Sequence, residues 1–450
     1  MIGVGLSRWT LAYFAVALAF FVVAQTLMVL GFGFPGFALQ APETLVLVHL
    51  VAVGWLTLLI CGALFQFVPV LVGAPLRQAW VPLPALGLLT TGLLLLVSGF
   101  LQLGGYVIWS MPMLAIGALL LLGGFCLVAL SVLATFLQTM PPALPARYVI
   151  LALLALSGTV GLGVVFAFGL SGLDEEGLFA PFIGAAVPMH AALGIGGWLT
   201  LTAIGVTHRL LPMFMLAPDK PSLPGKIGWW AALVAILAIL AAVVFAGVYP
   251  DLIALALLLA LGAGLVLLVF YGLDIRRYYR LRRRKILETN SRMAALALFC
   301  LFVAAVMLAI SLGMGARSAS IAASVYLAVF GWLSGLGLSQ AYKIVPFMTW
   351  LECYGPVMGR MPTPRVQDLV IEKQALPWFL LYFAGVGAGT VSLLAGTPLM
   401  VRLCAALVLT GSLGIIHQIY RARLLKDVPE TLHPAAIKPP RLFVSTLPAT

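Results

Sequence analysis

Residues 54–69 read GWLTLLICGALFQFVP, and the pattern returns without gaps as GWLTLTAIGVTHRLLP at 197–212 and as GWLSGLGLSQAYKIVP at 331–346. In each copy the proline follows the tryptophan by 14 positions: Trp55 to Pro69, Trp198 to Pro212 and Trp332 to Pro346. The seventh position after the tryptophan is small (Gly62, Gly205, Ser339) and the eleventh is polar (Gln66, Arg209, Lys343). Internal similarity of this kind reveals architecture before any single residue does.

Each copy lies in a long apolar run, and reading such runs against loop punctuation gives twelve helices. They are expected at 9–30, 45–71, 81–103, 107–137, 148–170, 182–213, 229–248, 252–273, 293–312, 319–348, 376–394 and 399–420. The motif copies fall on helices 2, 6 and 10, a spacing of four. The expected plan is an all-α integral membrane protein of three four-helix repeats, at 1–145, 146–290 and 291–450 with a cytoplasmic tail. All three share one orientation, because four is even.

Composition agrees with that plan. Of 450 residues, 63% are hydrophobic and 8% charged, whereas a soluble domain carries about 25% charged residues. A helix rising about 1.5 Å per residue needs roughly 20 apolar residues to cross about 30 Å of hydrocarbon, and the runs are that long. The short alternating segments of a membrane barrel are not seen. Five cysteines are scattered without a CxxC spacing, so no disulfide framework is implied. The first apolar run lacks a small-residue cleavage site and reads as a retained helix.

The net charge of +12 gains meaning only when placed. With the N-terminus cytoplasmic, all but Arg317 and Arg402 of the 25 Lys and Arg residues fall on the cytoplasmic side, which also holds the C-terminus. Residues 276–285, rich in arginine, then read as a cytoplasmic loop against anionic headgroups. The partner is the lipid bilayer, not nucleic acid. Asp174, Glu175 and Glu176 face the other side.

The glycine, hydroxyl and proline positions of the motif suit close helix packing. Its tryptophan stands about 20 Å from the proline end of the helix, so it is expected inside the bundle. Two histidines precede the motif, His49 by six residues before Trp55 and His190 by eight before Trp198. A histidine in a membrane helix is costly, and neutral imidazole ligates haem iron and copper; the competing reading is a hydrogen bond to a neighbouring helix. His208, beside Arg209, is expected at headgroup level, and His417 and His433 near or beyond the last boundary. Met111, Met113 and Met189 are candidate thioethers for Cu(I), a role that competes with core filling.

Twelve helices in three repeats, with histidines early in helices 2 and 6, resemble subunit I of the haem-copper oxidases. The stretch from Met189 and His190 to Pro212 is similar to helix 6 of the cbb-type oxidases and nitric oxide reductases. The stretch from His49 to Pro69 is similar to their second helix, and to the NnrS family, twelve-helix proteins associated with haem, copper and nitric oxide tolerance. The resemblance implies a low-spin haem ligand at His49 and a copper ligand at His190, hence haem b or copper as cofactor. It also implies a bacterial inner-membrane location and a respiratory-complex or metal-handling membrane partner.

The departures define the expected function. Helices 7 and 10 carry no histidine, so the binuclear site of an oxidase is incomplete and oxygen reduction is not expected. No Asp or Glu is expected in mid-membrane to relay protons. The two histidines differ by two positions relative to their tryptophans, about 200° on an ideal helix. Helix 10 is instead polar, with Ser324, Tyr326, Ser334, Ser339, Gln340, Tyr342 and Lys343. The expected function is that of a non-oxidase relative in nitric oxide response, metal handling or respiratory-complex maturation. The alternative classes are a small-solute or metal transporter using helices 2, 6 and 10, and a scaffold.

Overall fold

The computed structural model describes residues 7–173, 180–218, 222–245, 251–315, 318–432 and 440–445. Asp174, Glu175, Glu176, Arg317 and His433 lie outside the described residues. Twelve helices are long and apolar enough to cross a membrane. They are α1 (Thr10–Leu30), α2 (Pro42–Val72), α3 (Pro82–Leu103), α4 (Met113–Phe136), α5 (Leu144–Leu170) and α6 (Ile183–Met215), followed by α7 (Leu223–Phe245), α8 (Ile253–Leu281), α9 (Thr289–Gly313), α10 (Ser318–Val357), α11 (Glu372–Leu394) and α12 (Pro398–Arg423). Large apolar side chains such as Leu94, Leu130, Leu255, Leu258 and Val391 face outward on these helices. A bilayer solvates such a surface and water does not. The chain is an integral membrane protein.

Helix ends follow local chemistry. Prolines open α2, α3 and α12, where a missing N–H costs nothing. Gly31 and Gly73 close α1 and α2 at φ +83° and +71°. The break between α11 and α12, the weakest in the sequence, is made by Gly396 at φ +64° followed by Pro398.

Three boundaries differ from the sequence reading. Helix α4 begins at Met113 rather than near 107, because Pro112 precedes it and Ile108 and Trp109 remain exposed loop residues. Helix α8 continues to Leu281, so Arg276, Arg277 and Arg280 are helical. Its last turns are amphipathic: Tyr271, Asp274, Ile275 and Tyr278 are buried while Arg276 and Arg280 are exposed. Helix α10 runs on past Met348 to Tyr354, its last turn pinned by the buried Cys353 and Tyr354 against Leu369, Leu425 and Val428.

The chain forms two compact units, one from residues 1–75 and 287–450, the other from 76–286. In the first, α1 packs on α2 where Gly62 lets Tyr13 approach; a Cβ at Gly62 would lie 2.5 Å from that of Tyr13. Gln25 of α1 bonds Ser412 of α12 at 3.0 Å. The α11–α12 hairpin closes at Gly411, where a Cβ would meet the Tyr382 backbone nitrogen at 2.7 Å. In the second unit the α3–α4 hairpin has the same device. Gly92 and Gly99 on α3 face Gly117 and Leu114 on α4 so closely that a Cβ at Gly117 would sit 2.6 Å from the Leu96 nitrogen. Helices α7 and α8 form a further hairpin, and α6 lies on α5 with Gly197 against Ala155 and Gly205 against Tyr148.

Every motif copy carries a π-helical stretch: Leu50–Thr57, Ala192–Thr200 and Leu327–Ser334. Each ends on the motif's hydroxyl residue. The wider turn shows at Thr57, whose hydroxyl donates to the Ala52 carbonyl five residues back at 2.8 Å. Such stretches interrupt α-helices mostly at functional positions.

Candidate functional site

The motif tryptophans are core residues: Trp55 and Trp332 are 0% exposed and Trp198 is 2%. In the first unit the Trp55 indole stacks on Phe21 with centroids 4.5 Å apart, and its Nε1–H donates to the Ser334 hydroxyl at 2.9 Å. The polar eleventh position ties its helix to the chain just before a neighbouring helix. Gln66 Oε1 accepts from the Ser7 N–H at 2.8 Å, ahead of α1. Lys343 Nζ pairs with Glu288 at 2.6 Å, ahead of α9.

His49 sits on the last α-helical residue before the first π-helical stretch. Its Nδ1 lies 2.8 Å from the Leu45 carbonyl, one turn back. A carbonyl only accepts, so Nδ1 carries the hydrogen, and the neutral ring keeps its lone pair on Nε2. His190 precedes the second π-helical stretch and reaches across to α5, where its Nδ1 donates to the Thr159 carbonyl at 3.0 Å. Gly163 makes room for it: a Cβ there would stand 3.3 Å from the imidazole Cε1. Phe166 flanks the ring, with centroids 5.4 Å apart. Both imidazoles are half-buried and have the same tautomer, fixed by main-chain carbonyls. His49 belongs to the first unit and His190 to the second.

The two ligand candidates fit some cofactor geometries better than others. Among the described residues no group of three or more His, Cys, Asp or Glu side chains is placed to hold a metal ion. A copper site built from several histidines therefore does not fit. Single imidazole ligation does, since a Nδ1–H held by a carbonyl orients the ring for coordination through Nε2. Of the candidate thioethers, Met111 is exposed, Met113 half-buried and Met189 buried. The cysteines are unpaired, and all but Cys126 are buried.

His208 is not at a headgroup surface. It is 3% exposed, enclosed by Tyr148, Tyr271 and Tyr278, and lies 3.9 Å from the buried carboxylate of Asp274. The first unit buries a carboxylate too: Glu352 on α10 pairs with Arg423 of α12 at 2.7 Å. Acidic groups inside the helices were missed because the sequence reading assigned nearly all charges to loops. His417 is exposed on α12. No protein-family model matches the chain, and no curated protein matches it.

Proposed function

We propose that the chain is a non-oxidase relative of haem-copper oxidase subunit I and of the NnrS proteins, binding haem or copper through His49 and His190. Its role would be nitric oxide response, metal handling or respiratory-complex maturation. One observation carries the reading: each histidine, next to a π-helical motif stretch, donates Nδ1–H to a main-chain carbonyl, at 2.8 Å for His49 and 3.0 Å for His190. That hydrogen bond makes Nε2 the base, raises its donor strength and holds the ring still. A bound haem or Cu(I) would supply a metal centre for a diatomic ligand. The protein's part is to fix the imidazoles and keep the site apolar.

The threefold plan is part of the same proposal. It is supported by the π-helical stretch on every motif copy and by the recurring hairpins α3–α4, α7–α8 and α11–α12. A cytoplasmic placement of both termini, in a bacterial inner membrane, is supported by the distribution of Lys and Arg.

The test is to purify the full chain in detergent and record its optical spectrum and metal content. A Soret band or stoichiometric copper, diminished in both His49→Ala and His190→Ala, is the expected result. A colourless, metal-free protein after expression with added haem precursor and copper refutes the reading.

A further inference from the structure

The second unit encloses a polar cluster that the motif and the ligand histidines do not use. Asp274 on α8 is 0% exposed. Its Oδ2 accepts a hydrogen bond from the Ser222 hydroxyl at 2.6 Å, and Ser222 Oγ accepts from the Gly225 N–H at 3.0 Å. Asp274 Oδ1 has no hydrogen-bond partner. His208 on α6 holds its Nδ1 3.1 Å from the Tyr278 hydroxyl and 3.9 Å from Asp274 Oδ2, while its Nε2 has no partner. Tyr148 stacks on the imidazole at 5.4 Å, and Tyr271 meets it edge-on at 5.6 Å. The Tyr148 hydroxyl is spent on the Gly225 carbonyl, and that of Tyr271 on Thr207.

Charges around the cluster are few. Helix α5 contributes Tyr148, with Arg147 beside it exposed; α6 contributes His208, with Arg209 half-buried. At the start of α7 stand Ser222 and the exposed Lys226, and on α8 Tyr271, Tyr278, Tyr279 and the half-buried Arg277. Asp219 and Lys220 lie outside the described residues. Among the described residues no Lys or Arg reaches ion-pair distance of Asp274.

An ionised Asp274 would thus be a buried charge with one neutral hydrogen bond, which costs several kcal/mol. An imidazolium opposite it would be a second buried charge, separated by 3.9 Å and too far for a hydrogen bond. The arrangement without buried charge has one proton on the carboxyl and a neutral imidazole. Oδ1 is the oxygen free to carry that proton, because Oδ2 already accepts from Ser222.

We propose that Asp274 and His208 form a site for one exchangeable proton, held on the Asp274 carboxyl at neutral pH with His208 as the adjacent base. Its ligand is the proton itself. The site does not depend on haem or copper binding at His49 and His190.

The full chain in lipid nanodiscs, titrated by infrared difference spectroscopy, tests it. Wild type should show the C=O stretch of a protonated carboxyl at neutral pH, and Asp274→Asn should lose it. Because Asn mimics the neutral acid, that variant should unfold at the wild-type temperature. His208→Gln removes the base that offsets the carboxylate, so the band should persist to higher pH. Ser222→Ala removes a hydrogen bond to the carboxyl and should move the band; it serves if Asp274→Asn fails to fold. A wild type without the band, a band indifferent to Asp274→Asn or to Ser222→Ala, or a His208→Gln titration unchanged from wild type overturns the proposal.

Discussion

The indole Nε1–H of Trp55 donates to the Ser334 hydroxyl at 2.9 Å, joining the tryptophan of one motif copy to the hydroxyl of another. Trp55 and Ser334 are both 0% exposed, so neither can turn to solvent. Ser334→Ala leaves a buried donor unsatisfied, a penalty of about 1–3 kcal/mol. Ser334→Thr keeps the acceptor at the expense of one extra methyl group. Thermal unfolding in detergent should show the alanine variant less stable than wild type, with Trp55→Phe adding little to it because the two changes remove the same bond.

Helices α2 and α6 both end four residues past the motif proline in the left-handed region, at Gly73 (φ +71°) and Leu216 (φ +53°). Glycine adopts that conformation freely, whereas a residue with a Cβ is disfavoured by about 1–2 kcal/mol. Leu216 is 56% exposed, so its side chain contributes little packing. Leu216→Gly should therefore stabilise the protein by about 1 kcal/mol. A Cβ at Gly73 has open space around it, so the cost of Gly73→Ala is conformational alone, of the same size and opposite sign. Equal unfolding temperatures for Leu216→Gly and wild type would contradict this account.

The His190 site depends on an empty position on the neighbouring helix. A β-branched side chain at Gly163 occupies the space beside the imidazole Cε1, which a Cβ alone approaches to 3.3 Å. Gly163→Val should push the ring off the Thr159 carbonyl and lose the cofactor signal contributed by His190, while His190 itself remains. Gly161, with nothing within 4 Å of its Cβ position, is the control: Gly161→Val should retain the signal. Optical spectra of the two purified variants decide between them.

The helices were legible because their signal is a one-dimensional count of apolar residues, and the depth of Trp55, Trp198 and Trp332 followed from helix rise alone. The cluster around His208 was not. The sequence reading placed His208 with Arg209 at a headgroup surface, yet neighbours on a helix point about 100° apart, so one can be buried while the other reaches outward. Asp274 was hidden in the same way: it stands next to an arginine-rich run, but its helix turns it to the face shared with Tyr271 and Tyr278. The π-helical stretches leave no mark in hydropathy, because backbone register is decided by packing. For His49 and His190 the residues were legible, but their carbonyl partners were not; Thr159 lies on another helix.

Glu352 and Arg423 form an ion pair at 2.7 Å with side chains 4% and 3% exposed, and Arg423 also donates to Thr349 Oγ1 and to the Arg441 carbonyl. One guanidinium therefore joins α10, the end of α12 and the segment beyond it. Arg423→Met strands a buried carboxylate, and breaking such a pair costs about 3–5 kcal/mol. Adding Glu352→Gln removes the stranded charge, so the double variant should be more stable than Arg423→Met alone. Both variants lose the bond to Arg441, so limited proteolysis should release the C-terminal segment faster from each of them than from wild type. A double variant no more stable than Arg423→Met would mean that the stranded charge is not the source of the cost. Unchanged proteolysis would mean that Arg423 does not hold the tail.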